Sequence, residues 1–141
     1  MRLHQGEAGS AVVEFTFLGT LLLIPVVYLV LAVGSLQGGS FASVGAADQA
    51  AKVFAAADSV EEGRRRAAHA AMLAVTDQGF SQSDFSMEIA CTSGACLESG
   101  SMVTVRVSID VPMPLIPTMP GLDLTAATVD ASATEIVERF G

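Results

Sequence analysis

The sequence predicts an α+β protein: a long N-terminal membrane-spanning helix, Ala-rich helices, then a small antiparallel sheet of about three strands. Three observations carry this prediction. In a chain of 141 residues, no charged side chain occurs between Glu14 and Asp48. Alanines then recur at helical spacing through the segments that follow. From Phe85 onward the apolar residues alternate with polar ones, the period of a half-buried strand.

Composition narrows the function classes before any motif is considered. Hydrophobic residues make up 51% of the chain and charged residues 16%, well below the roughly 25% charge of an average soluble domain. That excludes a disordered, solvating chain and concentrates the apolar sequence in one place. With 15 acids against 7 bases the net charge is −8, which repels phosphate backbones. The absence of Trp and the single Tyr leave few stacking platforms, so nucleic acid is not an expected partner. Two cysteines and two histidines leave few metal ligands, and no cofactor is expected. No Ser/His/Asp spacing, carboxylate pair or phosphate-cradling glycine loop is visible, so an enzyme is not expected either.

Phe15 to Leu36 reads FTFLGTLLLIPVVYLVLAVGSL, 22 residues. As a helix it covers about 33 Å, matching a hydrocarbon core of about 30 Å. A buried core helix is the first alternative, but the rest of the chain is too short to wrap it on all faces. A secretory signal peptide is the second. Its apolar region runs about 7–15 residues behind a strongly basic start. Here the run is longer and the start holds Arg2, His4 and Glu7, although Ser40 to Ala47 supplies small residues that a signal peptidase accepts. Pro25 falls mid-span, where lipid-embedded helices tolerate a kink. Arg2 is the one firm base before the span; Lys52 and Arg64 to Arg66 belong to a following domain whose translocation is insensitive to them. The expected orientation is a single-pass protein of the cell membrane, N-terminus cytoplasmic and C-terminal domain outside.

Gln37-Gly38-Gly39-Ser40 predicts a hinge at the membrane surface, since each glycine weakens a helix by about 1 kcal/mol. Helix resumes over about 41–57, with Val44, Ala47, Ala51 and Phe54 as its narrow apolar stripe. Ser59-Val60-Glu61-Glu62 fits a capping box opening a helix over about 59–78, and Gly79 is its stop. Arg64-Arg65-Arg66 reads as a solvated face pairing with Glu61 and Glu62, and His69 as a helix-face residue. Strands are expected at about 85–91, 102–111 and 123–137. Ser93-Gly94 and Ser99-Gly100 loosen the first link, while Pro112, Pro114, Pro117 and Pro120 make the second a rigid loop. Cys91 and Cys96, outside the membrane, read as a small-loop disulfide. Free thiols and a metal or redox site are the alternatives; the last lacks two further ligands.

The residue that stands out is Glu14, set directly against the apolar run in Gly9-Ser10-Ala11-Val12-Val13-Glu14-Phe15. A carboxylate at a bilayer boundary is costly and marks a functional position unless it simply reaches the headgroups. This run resembles the processing site of type IV pilin-like precursors, in which a prepilin peptidase cuts after Gly and leaves Glu fifth and Phe sixth. Cutting after Gly9 makes Ser10 the new N-terminus and places Glu14 fifth and Phe15 sixth. The longer resemblance, over Gly9 to Leu36 and the Ala-rich stretch Ala46 to Lys52, is to the TadE-like family of the tight-adherence (Flp) pilus apparatus. It implies a prepilin-type leader at 1–9, a transmembrane helix at 10–36 and an extracytoplasmic α+β domain at 37–141. It further implies a minor pilin or pseudopilin that helps assemble or initiate the fibre, with an ion pair between the freed Ser10 amine of one subunit and Glu14 of a neighbour. The implied partners are other pilin and pseudopilin subunits, the prepilin peptidase, the inner-membrane assembly platform and membrane lipids. The competing expectation is a membrane-anchored or secreted small binding domain unrelated to pili, with the Gly-x4-Glu arising by chance.

Overall fold

A computed structural model describes residues 8–117, 121 and 124–138. Its first element is α1, Ala8–Ala55, an unbroken helix of 48 residues, about 72 Å long. The break expected at Gln37–Ser40 is absent, and the separate helix expected over 41–57 is the second half of the same rod. The reason lies in Gly39. It is buried, and a Cβ built on it would lie 2.6 Å from Cγ2 of Val111 and 3.1 Å from Cγ2 of Val129. The bare backbone lets α1 seat directly on the sheet. Apolar burial at that contact offsets the weak helix propensity of the glycine pair.

Past Gly39, α1 buries Ala42, Ser43, Ala46, Ala47, Ala50, Ala51 and Phe54. The expected stripe was too narrow and partly misplaced: Val44 is 58% exposed. Two partners lie against this half of the helix, so its buried arc is wider than one stripe. The sheet covers one side and the second helix the other. Ser43 tolerates burial because its hydroxyl donates to the Ser40 carbonyl at 2.9 Å. On the solvent side Lys52 donates to Asp48 at 2.8 Å, and that hydrogen bond holds its ammonium above the usual pKa of lysine.

The second helix, α2, is Val60–Asp77. Ser59 caps it, accepting from the Glu62 N–H at 3.2 Å. The Glu62 carboxylate pairs with Arg66 one turn on. Gly79 ends the helix with φ +85°, a conformation that only glycine adopts freely. Gly63, Ala67, Ala71 and Val75 form its buried stripe, and the Phe54 ring lies against Gly63. The chain reverses at residues 56–59, so α2 runs back along α1 and ends beside residues 34–38 of that helix.

Three strands follow: β1, Phe85–Cys91; β2, Met102–Pro112; and β3, Thr125–Ile136. They pair antiparallel in the order β1-β2-β3. Val103, Val105, Val107, Ile109 and Val111 point inward from the central strand and are all fully buried beneath the helices. The opposite face is polar: Arg106 reaches Asp130 at 2.7 Å, and the hydroxyls of Thr104 and Thr134 meet at 2.8 Å. Pro112, expected in the loop, belongs instead to the end of β2. It sits opposite Thr125, just past a register shift at Val111/Pro112 where the ladder needs no N–H. Pro120 and position 123, the expected start of the third strand, lie outside the described residues.

Candidate functional site

The N-terminal half of α1 is bare. Val12 through Val33 present their large apolar side chains outward, among them Phe15 at 79% and Leu22 at 70% exposure. Among the described residues α1 is the one helix long and apolar enough to cross a membrane. Three of its hydroxyls are satisfied internally, as lipid demands. The hydroxyls of Thr16 and Thr20 donate to the carbonyls four residues back at 2.8 Å each, and Ser35 does the same at 3.0 Å. Pro25 lies inside the helix without ending it.

Gly9 and Ser10 lie at the start of the described part of α1 and are exposed. The leader expected before the Gly9–Ser10 bond lies outside the described residues except for Ala8 and Gly9. Glu14 stands one turn beyond Ser10 and on the same helical face. It is exposed, and among the described residues it makes no salt bridge. The nearest cation further along its own helix is Lys52, about 57 Å away. Among the described residues, therefore, no cation stands within salt-bridge reach of this carboxylate.

The remaining candidates lie elsewhere. Cys91 and Cys96 are joined by a disulfide, with Cα atoms 5.2 Å apart. It closes the turn after β1, at the end of the sheet far from the start of α1. The Ser101 hydroxyl accompanies it, donating to the Cys96 carbonyl at 2.9 Å. This bond stabilises a loop and leaves Cys91 and Cys96 no free thiol. Arg64, Arg65, Arg66 and His69 are exposed on α2. Among the described residues no three His, Cys, Asp or Glu side chains gather as a metal would require.

Sequence reasoning passed over two positions. Gly39 looked like a hinge and is a seat; nothing local distinguishes it from Gly38, which has no atom within 4 Å of a built Cβ. The proline-rich link after β2 looked like a plain connection. It returns to α1: Pro112, Met113 and Pro114 share a groove with Val30, Leu31 and Gly34. Its one available signal was the lack of charge from Val111 to Leu122. Comparison of the chain with protein-family models, with curated proteins and with solved structures gives no match.

Proposed function

We propose that this chain is a TadE-like minor pilin or pseudopilin of a tight-adherence pilus, held in the membrane by α1 and assembled through helix packing there. The observation that carries the reading is Glu14: an unpaired carboxylate one turn after Ser10, at the mouth of a bare apolar helix. Cleavage after Gly9 frees an amine at Ser10, the complementary charge. Once helices bundle, an unpaired charge in their apolar interior costs several kcal/mol, whereas an amine–carboxylate pair with good geometry offsets much of that desolvation. The asymmetry selects one register between neighbours. Because α1 is unbroken, a register fixed at Glu14 also fixes the height of the external domain. No catalytic role is part of this proposal.

N-terminal sequencing of the mature protein tests the processing step. A chain beginning at Ser10 is expected; one beginning at Met1, or near Asp48, would leave an anchored or secreted small domain unrelated to pili. Glu14→Gln then tests the pairing. The amide keeps the shape but strands the neighbour's amine, a loss of about 3–5 kcal/mol for a broken buried pair. Expression and membrane insertion should persist while cross-linking to partner subunits is lost. Glu14→Asp, whose carboxylate reaches less far, should fall between. Normal assembly by the Gln variant refutes the ion pair.

A further inference from the structure

We infer that the link after β2 is a second membrane contact: Met113 to Ile116, with Leu124, dip into the headgroup boundary beside the outer end of the α1 span. The inference rests on the membrane-spanning reading of α1, though not on a pilus. Four observations meet at this spot. First, the link lies at membrane height. It shares a groove with Val30, Leu31 and Gly34, whereas the apolar run continues to Leu36. Val30 is therefore about 9 Å inside the end of the run, within the roughly 5–10 Å depth that interfacial segments reach. If Phe15 to Leu36 fills the hydrocarbon core, this groove, which runs from Val30 to Gly38 and also takes in Gln78 just past α2, straddles its outer boundary.

Second, the link presents the apolar side chains that such a position needs. Leu115 is 78% exposed, Leu124 is 40% exposed and Ile116 is nearly as open. Third, its conformation holds them there. The Met113 N–H donates to the Leu124 carbonyl at 3.0 Å, tying the two ends of the link together. Leu115 has φ +64°, a left-handed conformation that a leucine adopts at a cost. An exposed leucine held in an unfavourable conformation is better explained by something that covers it than by water. Fourth, the chemistry of the surroundings specifies how it would be covered. No charge occurs from Val111 to Leu122, and the residues flanking that stretch are the acids Asp110 and Asp123. With no base in the link, attraction to anionic lipid cannot hold it, so the contact depends on apolar insertion. Two contacts, the span and the link, then fix the tilt and rotation of the external domain.

Because the chain has no Trp, single Trp variants report their own surroundings. The full chain carrying Leu115→Trp is reconstituted in phosphatidylcholine vesicles, with and without lipid brominated near the headgroup. Leu23→Trp reports the span and Ser99→Trp the distal turn. The expected result is a blue-shifted Leu115→Trp emission that brominated lipid largely removes, unchanged by high salt or by added phosphatidylglycerol. Leu23→Trp should respond to bromine placed deeper in the chains, and Ser99→Trp should not respond. A quenched Leu23→Trp beside a solvent-like Leu115→Trp overturns the inference and leaves the span intact. A blue-shifted Leu115→Trp that brominated lipid does not quench assigns the link to a protein partner and also overturns it. An unquenched Leu23→Trp removes the membrane-spanning reading and this inference together.

Discussion

The two halves of α1 share one backbone and differ in which side chains they expose. Before Gly39 the large residues, Leu, Val, Ile and Phe, point mostly outward, and among the described residues the link after β2 approaches them at Val30 and Leu31. After it the buried residues are mostly alanine, with Phe54 the single large side chain among them. The contrast shows that hydrophobicity alone does not determine what a helix packs against. A surface meeting lipid needs only apolar bulk, because acyl chains adapt to its shape. A surface meeting a sheet and a second helix at once has to be small, so that the backbones approach closely and dispersion contacts form on both sides. The same rod is therefore bare and apolar at one end, as a membrane span would be, and a core element at the other, and Gly39 marks the change.

Substitutions break or sharpen that contrast. The largest effect is expected from Phe54→Ala, which empties the centre of the core between the helices and the sheet. It should lower the domain's stability by about 3–5 kcal/mol, read as a drop in Tm in detergent micelles. Phe17→Ala, the same deletion in the bare half, should leave that Tm unchanged. Next comes the disulfide, whose cysteines pack on the core at the end of the sheet beside the C-terminal end of α1. Cys91→Ser with Cys96→Ser should cost about 2 kcal/mol, the loop entropy of so short a closure, measured by chemical denaturation with and without reductant.

The glycine pair separates local from tertiary control by sign. Gly38→Ala adds helix propensity in open space and should stabilise by up to about 1 kcal/mol. Gly39→Ala drives a methyl against Val111 and Val129, both stiff β-branched side chains, and should destabilise by about 1–3 kcal/mol. Equal effects at the two positions would show that α1 does not sit on the sheet as described. The smallest effect belongs to Val44→Ala. Its side chain is largely solvated, and a change within about 0.5 kcal/mol is expected from the same melting curves.

Much of this architecture was legible in the sequence because the forces involved act over a few residues. The charge-free run from Phe15, the Ser59 cap, the Gly79 stop and the alternation in β1 and β2 each depend on near neighbours, and α2, β1 and β2 lie within a residue of their expected limits. The resemblance around Glu14 is of the same local kind, and the structure adds one fact to it: Ser10 and Glu14 share a helical face.

What the sequence by itself determined was therefore the elements, their order and the segment unable to remain in water. What only the tertiary structure decided was everything that depends on residues far apart in the chain. A glycine pair ends a helix or permits one according to what approaches it, and here Val111 and Val129 approach Gly39 across about 70 and 90 residues of chain. Val44, expected in the stripe, is exposed while its neighbour Ser43 is buried, because the buried arc was set by two partners rather than by one stripe. The spacing of Cys91 and Cys96 left three chemistries open until the turn brought the sulfurs together. Met113 and Pro114 came to rest beside Val30 through the length and register of β2, which carries the link from the disulfide end of the sheet back to the bare half of α1. Local preference is additive along the chain, whereas close approach is a property of pairs, and pairs exist only in the fold.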